Sequence, residues 1–199
     1  EFRIQCLQNR IPSVDLFILT HGHADHIMGM DDLRAFNNQE ELGSKRLPIY
    51  ASEEGLERIA VLYPYALRED IPLGYPSFSL HLMPDLLTCP KGGQIRSTRL
   101  PHGEIEVLGL IFQEKSSGKR AVYYTDCKQV GDEALKLAQG ADVVILDALR
   151  YRPHFTHMTI PEAVAVGQIL KAPQTYLTHL SYEVDHQAVQ DSLPPGFYV

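Results

Sequence analysis

The sequence predicts an α+β fold, a sandwich of two β-sheets covered by helices and built as a single domain. Three observations lead there. At 199 residues the chain is long enough for one substantial core. Its middle reads as strand pairs over 96–100, 105–112 and 121–125, with Lys115-Ser116-Ser117-Gly118-Lys119 as a hairpin turn. Its last third alternates: helix over 132–138, strand over 143–147, helix over 161–170 with Pro161 in the first turn, and strand over 175–178.

The earlier elements follow from local chemistry. Val14-Asp15-Leu16-Phe17-Ile18-Leu19-Thr20 is an apolar run that predicts a strand. From Ile27 to Phe36 apolar residues recur at three- and four-residue steps, which predicts an amphipathic helix ending near Asn37. Within it Asp31-Asp32-Leu33-Arg34 is explained as a helix surface with an i,i+3 ion pair. A polar link over 38–45 leads to a short strand over 47–51, and Ser52 with Glu53 and Glu54 makes a good helix start. Residues 63–93, interrupted by Pro64, Pro72, Pro76, Pro84 and Pro90, read as a loop-rich insertion crossed by one strand over 78–83, in which His81 is a structural position.

Chemistry concentrates just past the first strand, where His21, His23, Asp25 and His26 fall within six residues. In extended chain His21 and His23 project to the same side and can grip one ion. Asp25 and His26 fall near the start of the following helix and can hold a second. Imidazole with carboxylate suits Zn, Mn or Fe. Further candidates sit past later strands: His102 in Leu100-Pro101-His102-Gly103, Asp126 after Ala121-Val122-Tyr123-Tyr124-Thr125, and His179 after Thr175-Tyr176-Leu177-Thr178. Side chains at successive strand ends converge on one sheet edge.

In this order the motifs resemble the metallo-β-lactamase superfamily across nearly the whole chain. The resemblance implies an αββα sandwich of two mixed sheets and a binuclear centre. His21, His23 and His102 would hold the first metal, Asp25, His26 and His179 the second, and Asp126 would bridge them. Asp147-Ala148-Leu149-Arg150-Tyr151-Arg152-Pro153-His154-Phe155-Thr156-His157-Met158-Thr159 and Leu177-Thr178-His179-Leu180-Ser181 look like the branch holding phosphoribosyl cyclic phosphate phosphodiesterase and the ribonuclease Z type enzymes. There a histidine ahead of the last ligand contacts the scissile phosphate or protonates the leaving oxygen, the place of His157, with His154 as the alternative. Arg150 and Arg152 are candidates to reach a phosphate through their forked donors, or else belong to a solvated loop.

The implied activity is hydrolysis of a small cyclic phosphate or phosphodiester. Two divalent cations, Zn or Mn or else Fe, would activate a shared hydroxide for in-line attack, Asp25 would orient it, and His157 would act as general acid. A ribonuclease Z type nuclease, a thiolesterase or lactonase on the same metal pair, and an inert metal-binding protein are the alternatives. The balance of 18 basic against 25 acidic residues, net −7, offers no basic stripe for a polynucleotide.

Three widely spaced cysteines, Cys6, Cys89 and Cys127, make a disulfide framework an unsuitable reading, and Cys127 beside Asp126 reads as packing or support for the site. No apolar stretch approaches the ~20 residues that cross a bilayer, and no signal pattern opens the chain, so the cytoplasm is the expected location. A homodimer is the default assembly. Some enzymes of the branch bind an extra structural zinc through amino-terminal cysteines and a histidine three residues past the last ligand; here Tyr182 stands there, and no such site is expected. Glu1-Phe2-Arg3 resembles a turn that ends the family's early strands, so the sequence is expected to start part-way into the domain. His186 either lines the pocket edge or begins the last helix.

Overall fold

A helix, α1 (Phe2–Gln8), begins the computed structural model, which describes residues 2–37, 46–72 and 74–199. This differs from the turn expected at Glu1-Phe2-Arg3. The reason is apolar contact: the Phe2 ring packs edge-on against Phe17 and Phe36, each centroid 6.2 Å away. The chain forms two compact units, Glu1–Met83 and Pro84–Val199, each with its own core.

In the first unit β1 (Phe17–Ile18), β2 (Leu47–Ala51) and β3 (Phe78–Leu82) form a parallel sheet in that order. The strand expected over 14–20 is shorter: among the described residues β1 pairs with β2 alone, and the pairing continues as far as Leu19 N–H to Tyr50 O. β3 pairs with the whole of β2, so it belongs to the sheet itself and not to a loop insertion. His81 hydrogen-bonds Ser79 and stacks on Tyr50, a structural role as expected.

The helix expected after the histidine cluster is broken into α2 (Ala24–Ile27), a 3₁₀ segment over Met28–Leu33 and α3 (Arg34–Asn37). Met30, Leu33 and Phe36 are all buried. Their strict three-residue spacing is the repeat of a 3₁₀ helix, and Gly29 weakens α-helical propensity within the segment. Arg34 pairs with Asp31 at 3.1 Å. The polar link over 38–45 lies outside the described residues. α4 (Glu53–Leu62) starts as expected, the Ser52 hydroxyl accepting from Gly55 N–H at 3.2 Å.

The second unit is built on a seven-stranded mixed sheet. Its strands are β4 (Leu86–Thr88), β5 (Gln94–His102), β6 (Ile105–Gln113), β7 (Arg120–Tyr124), β8 (Val143–Asp147), β9 (Gln174–Thr178) and β10 (Phe197–Tyr198), in the order β10-β9-β8-β7-β6-β5-β4. From β4 to β7 neighbours are antiparallel; from β7 to β10 they are parallel. The two edge strands carry too few residues to show a period-2 pattern, and the sequence reading passed over both. Helices α5 (Asp132–Ala138), α6 (Ile160–Leu170) and α7 (His186–Ser192) complete the unit. His186 thus begins the last helix.

α6 opens with a full capping box between Thr159 and Glu162. It approaches the sheet closely at Gly167, where a Cβ would lie 2.5 Å from Cε1 of Phe197 and 2.9 Å from Cγ2 of Thr175. Gly167→Ala is therefore expected to destabilise by about 1–3 kcal/mol through overpacking, read as a fall in Tm of several degrees. An unchanged Tm would mean that the helix moves freely off the strands.

Among the described residues no helix is long and apolar enough to cross a membrane.

Candidate metal and acid–base site

The end of β1 carries the chain into Thr20 and His21, and His23 is the extended residue that precedes α2 (φ −67°, ψ 150°). The rings of His21 and His23 come together across Gly22. Nε2 of His21 lies 3.0 Å from Nδ1 of His23, and the His26 ring centroid is 4.3 Å from that of His21. Asp25 Oδ2 is 3.4 Å from His26 Nε2. The first unit thus gathers all four of its predicted donors. His21 is fully buried, with Nδ1 3.2 Å from the Thr20 hydroxyl, which leaves Nε2 on the side of His23.

In the second unit, donors sit at the ends of strands. His102 closes β5, Asp126 follows β7, Asp147 closes β8 and His179 follows β9. His102 Nδ1 donates to Thr156 O at 3.1 Å, because a carbonyl can only accept. That selects the tautomer whose Nε2 keeps a lone pair for a metal. Asp126 is 2 % exposed; its Oδ1 accepts from the Thr125 hydroxyl at 2.7 Å and its Oδ2 is 3.2 Å from His179 Nε2. His179 itself sits at φ +63°, in the left-handed region that few residues other than glycine adopt. Side-chain donors of His102, Asp126 and His157 lie within 4.8 Å of one another. The imidazole nitrogens of His102 and His179 and the Asp126 carboxylate are donors of the kind a divalent metal ion takes.

His157 lies among these groups. Its ring stacks on His179 at 4.8 Å and 17° and meets His102 edge-on at 4.8 Å. Its Nδ1 donates to Asp147 Oδ2 at 2.7 Å. Asp147 is fully buried, and the same oxygen accepts from Cys127 N–H at 2.8 Å. The sequence reading passed over Asp147 as a site residue. The available signal was the one used for Asp126, a carboxylate at the end of a strand between two others that deliver site residues.

The remaining candidates divide. The His154 ring is 5.1 Å from that of His157, and its Nδ1 accepts from the Thr156 hydroxyl at 2.9 Å. Burial, then the charges of His157 and Arg150, hold His154 below the usual histidine pKa. Arg150 and Arg152 converge on Glu183: Arg150 Nη1 donates to Oε1 at 2.7 Å, and Arg152 donates through Nη2 to Oε1 at 2.6 Å and through Nε to Oε2 at 2.9 Å. The hydrogen bond from Arg152, with the charge of Arg150, keeps Glu183 below the usual carboxylate range. Their forked donors thus serve a carboxylate of the same unit. Cys127 is buried, and burial, then Asp147 and Asp126, push its thiol well up, so it packs as a protonated, unreactive group.

The chain has relatives among known proteins. The model of the β-lactamase superfamily domain matches residues 2–180. A solved structure described as a new diphosphatase from the PhnP family is 31% identical, with a TM-score of 0.85 over 99% of this chain and 72% of that one. The metallo-β-lactamase fold protein YhfI from Bacillus subtilis shares 20% identity and a TM-score of 0.75, over 98% of this chain and 78% of its own. The short form of human tRNase Z shares 21% identity and a TM-score of 0.66, over 91% and 78%; these last two show the fold alone. An octanoyltransferase of Porphyromonas gingivalis is 32% identical over 202 residues, which is 100% of this chain but 39% of that protein. The chain thus spans well under half of the curated relative it matches. With a family model over residues 2–180 and two sheets flanked by helices, the chain belongs to the metallo-β-lactamase superfamily.

Proposed function

We propose that the chain is a binuclear metal-dependent phosphodiesterase acting on a small cyclic phosphate or phosphodiester. The observation that carries this reading is the pairing of His157 with buried Asp147 beside His102, Asp126 and His179. The 31% identical relative described as a diphosphatase supports it. The ligand assignment rests on motif order within the superfamily: His21, His23 and His102 for one ion, Asp25, His26 and His179 for the other, Asp126 between them. Bound divalent ions would supply an activated water and neutralise phosphodiester oxygens.

The chain's own residues do the rest. Thr156 O holds the His102 ring, and Thr125 holds the Asp126 carboxylate. Asp25 orients the attacking water. Asp147 accepts from Nδ1 of His157 and stabilises its charged form, so that Nε2 carries the proton that passes to the departing alkoxide. The cytoplasm remains the proposed location and a homodimer the proposed assembly.

The test is hydrolysis of bis-p-nitrophenyl phosphate and 2′,3′-cyclic nucleotides by the manganese- or zinc-loaded protein. Turnover well above that of a His21→Ala control is expected. Hydrolysis of octanoyl thioesters with none of phosphodiesters would replace the reading, and no hydrolysis of either would favour an inert metal-binding protein. Asp147→Asn keeps the shape and an accepting oxygen but removes the charge. It should lower kcat by about 10- to 100-fold with KM and metal content unchanged; an unaltered kcat would remove Asp147 from the mechanism.

A further inference from the structure

We propose that Phe155 is a stacking platform for a planar aromatic ring on the substrate, which makes a phosphate ester bearing a nucleobase the substrate class. The inference rests on the phosphodiesterase reading above. Phe155 is 77 % exposed, while His157, two residues on, is buried. A single exposed apolar side chain is ordinary on a protein surface. This one is joined to the acid–base group by a chain of ring contacts: Phe155 to His154 at 4.9 Å, and His154 to His157 at 5.1 Å. Its ring centroid is therefore at most about 10 Å from that of His157. That is within the reach of a nucleoside, whose sugar separates phosphate from base.

The residues that flank Phe155 are held by hydrogen bonds. Thr156 O accepts from His102 Nδ1, and the Thr156 hydroxyl and N–H both donate to His154 Nδ1. Lys128 Nζ donates to His157 O at 3.3 Å and to Glu162. One edge of the ring lies near Gly103, where a Cβ would come within 3.6 and 3.8 Å of its Cε2 and Cδ2 and within 2.7 Å of Thr156 Cγ2; φ at Gly103 is +66°. Glycine next to the candidate ligand His102 thus makes room for Thr156, while most of the Phe155 side chain stays exposed. An exposed aromatic ring beside a phosphoryl-transfer site suits a base, because base–aromatic stacking tolerates any base.

The experiment compares 2′,3′-cyclic AMP with methyl ribofuranoside 2,3-cyclic phosphate, which lacks a base, using the metal-loaded wild type, Phe155→Ala and Phe155→Trp. Expected is a fall in kcat/KM of about 10-fold or more for cyclic AMP in Phe155→Ala, carried by KM, with the base-free ester unchanged and Phe155→Trp restored. Calorimetric binding of AMP should weaken likewise in Phe155→Ala, and that of ribose 5-phosphate should not. An equal loss on both esters, or no loss on either, overturns the inference alone. Failure of the wild type to cleave either ester overturns the phosphodiesterase reading and this inference together. The exposed ring predicts an unchanged Tm for Phe155→Ala, so loss of fold does not confuse the comparison.

Discussion

Asp126→Ala is expected to remove bound metal and hydrolysis together. Its carboxylate is nearly inaccessible, with Oδ1 held by Thr125 and Oδ2 beside His179. A buried anion is costly unless paired, and in the proposed ligand set a bound ion would add its positive charge to these partners. Alanine leaves the imidazoles without the anion that bridges them in the proposed ligand set. Metal analysis should show at least one ion fewer per chain. Turnover should fall on the order of 10³-fold or more, because without the ions nothing lowers the pKa of the attacking water. Retained stoichiometry and rate would end the assignment of Asp126 as bridging ligand.

The second large effect is expected at His157. His157→Ala should reduce kcat by ~10²- to 10⁴-fold, the usual scale of general acid catalysis, with both ions still bound. The geometry sets this outcome apart from loss of a ligand. Nδ1 is committed to Asp147, so the ring offers one nitrogen, and in the proposed assignment that nitrogen serves the leaving group. The size of the loss should follow the leaving group: large for the ribose alkoxide of a cyclic nucleotide, small for p-nitrophenolate, which departs readily without a proton. Equal losses on the two esters would deny the role of acid, and loss of metal would make His157 a ligand. Asp147 keeps one partner, Cys127 N–H, after the substitution. A stability loss of about 1–3 kcal/mol is therefore expected alongside, and rates should be compared well below the lower Tm.

Much of this site was legible because its residues report on themselves. His21, His23, Asp25 and His26 are close in sequence, so local backbone geometry was enough to bring their side chains together, and the structure finds those rings and the carboxylate in contact. His102, Asp126 and His179 were legible in another way, each placed at or just past the end of a strand, Asp126 and His179 beside parallel neighbours and His102 at the end of antiparallel β5. The misses have equally local causes. α1 has little periodic signal and is fixed by Phe2 meeting Phe17 and Phe36. β4 and β10 exist because longer neighbours offer them an edge.

Residue types and their spacing along the chain determined the donor chemistry, the strand-end positions, the helix start at Ser52 and membership of the superfamily, since these depend on neighbours a few residues apart or on motif order. Tertiary structure decided the partnerships. Asp147 meets His157 from ten residues away, and Glu183 engages Arg150 and Arg152 from more than thirty. It also set Phe155 near Gly103. Hydrogen bonding and ring packing depend on positions to within a fraction of an ångström, and no pattern along the chain carries that information before the strands have set their register.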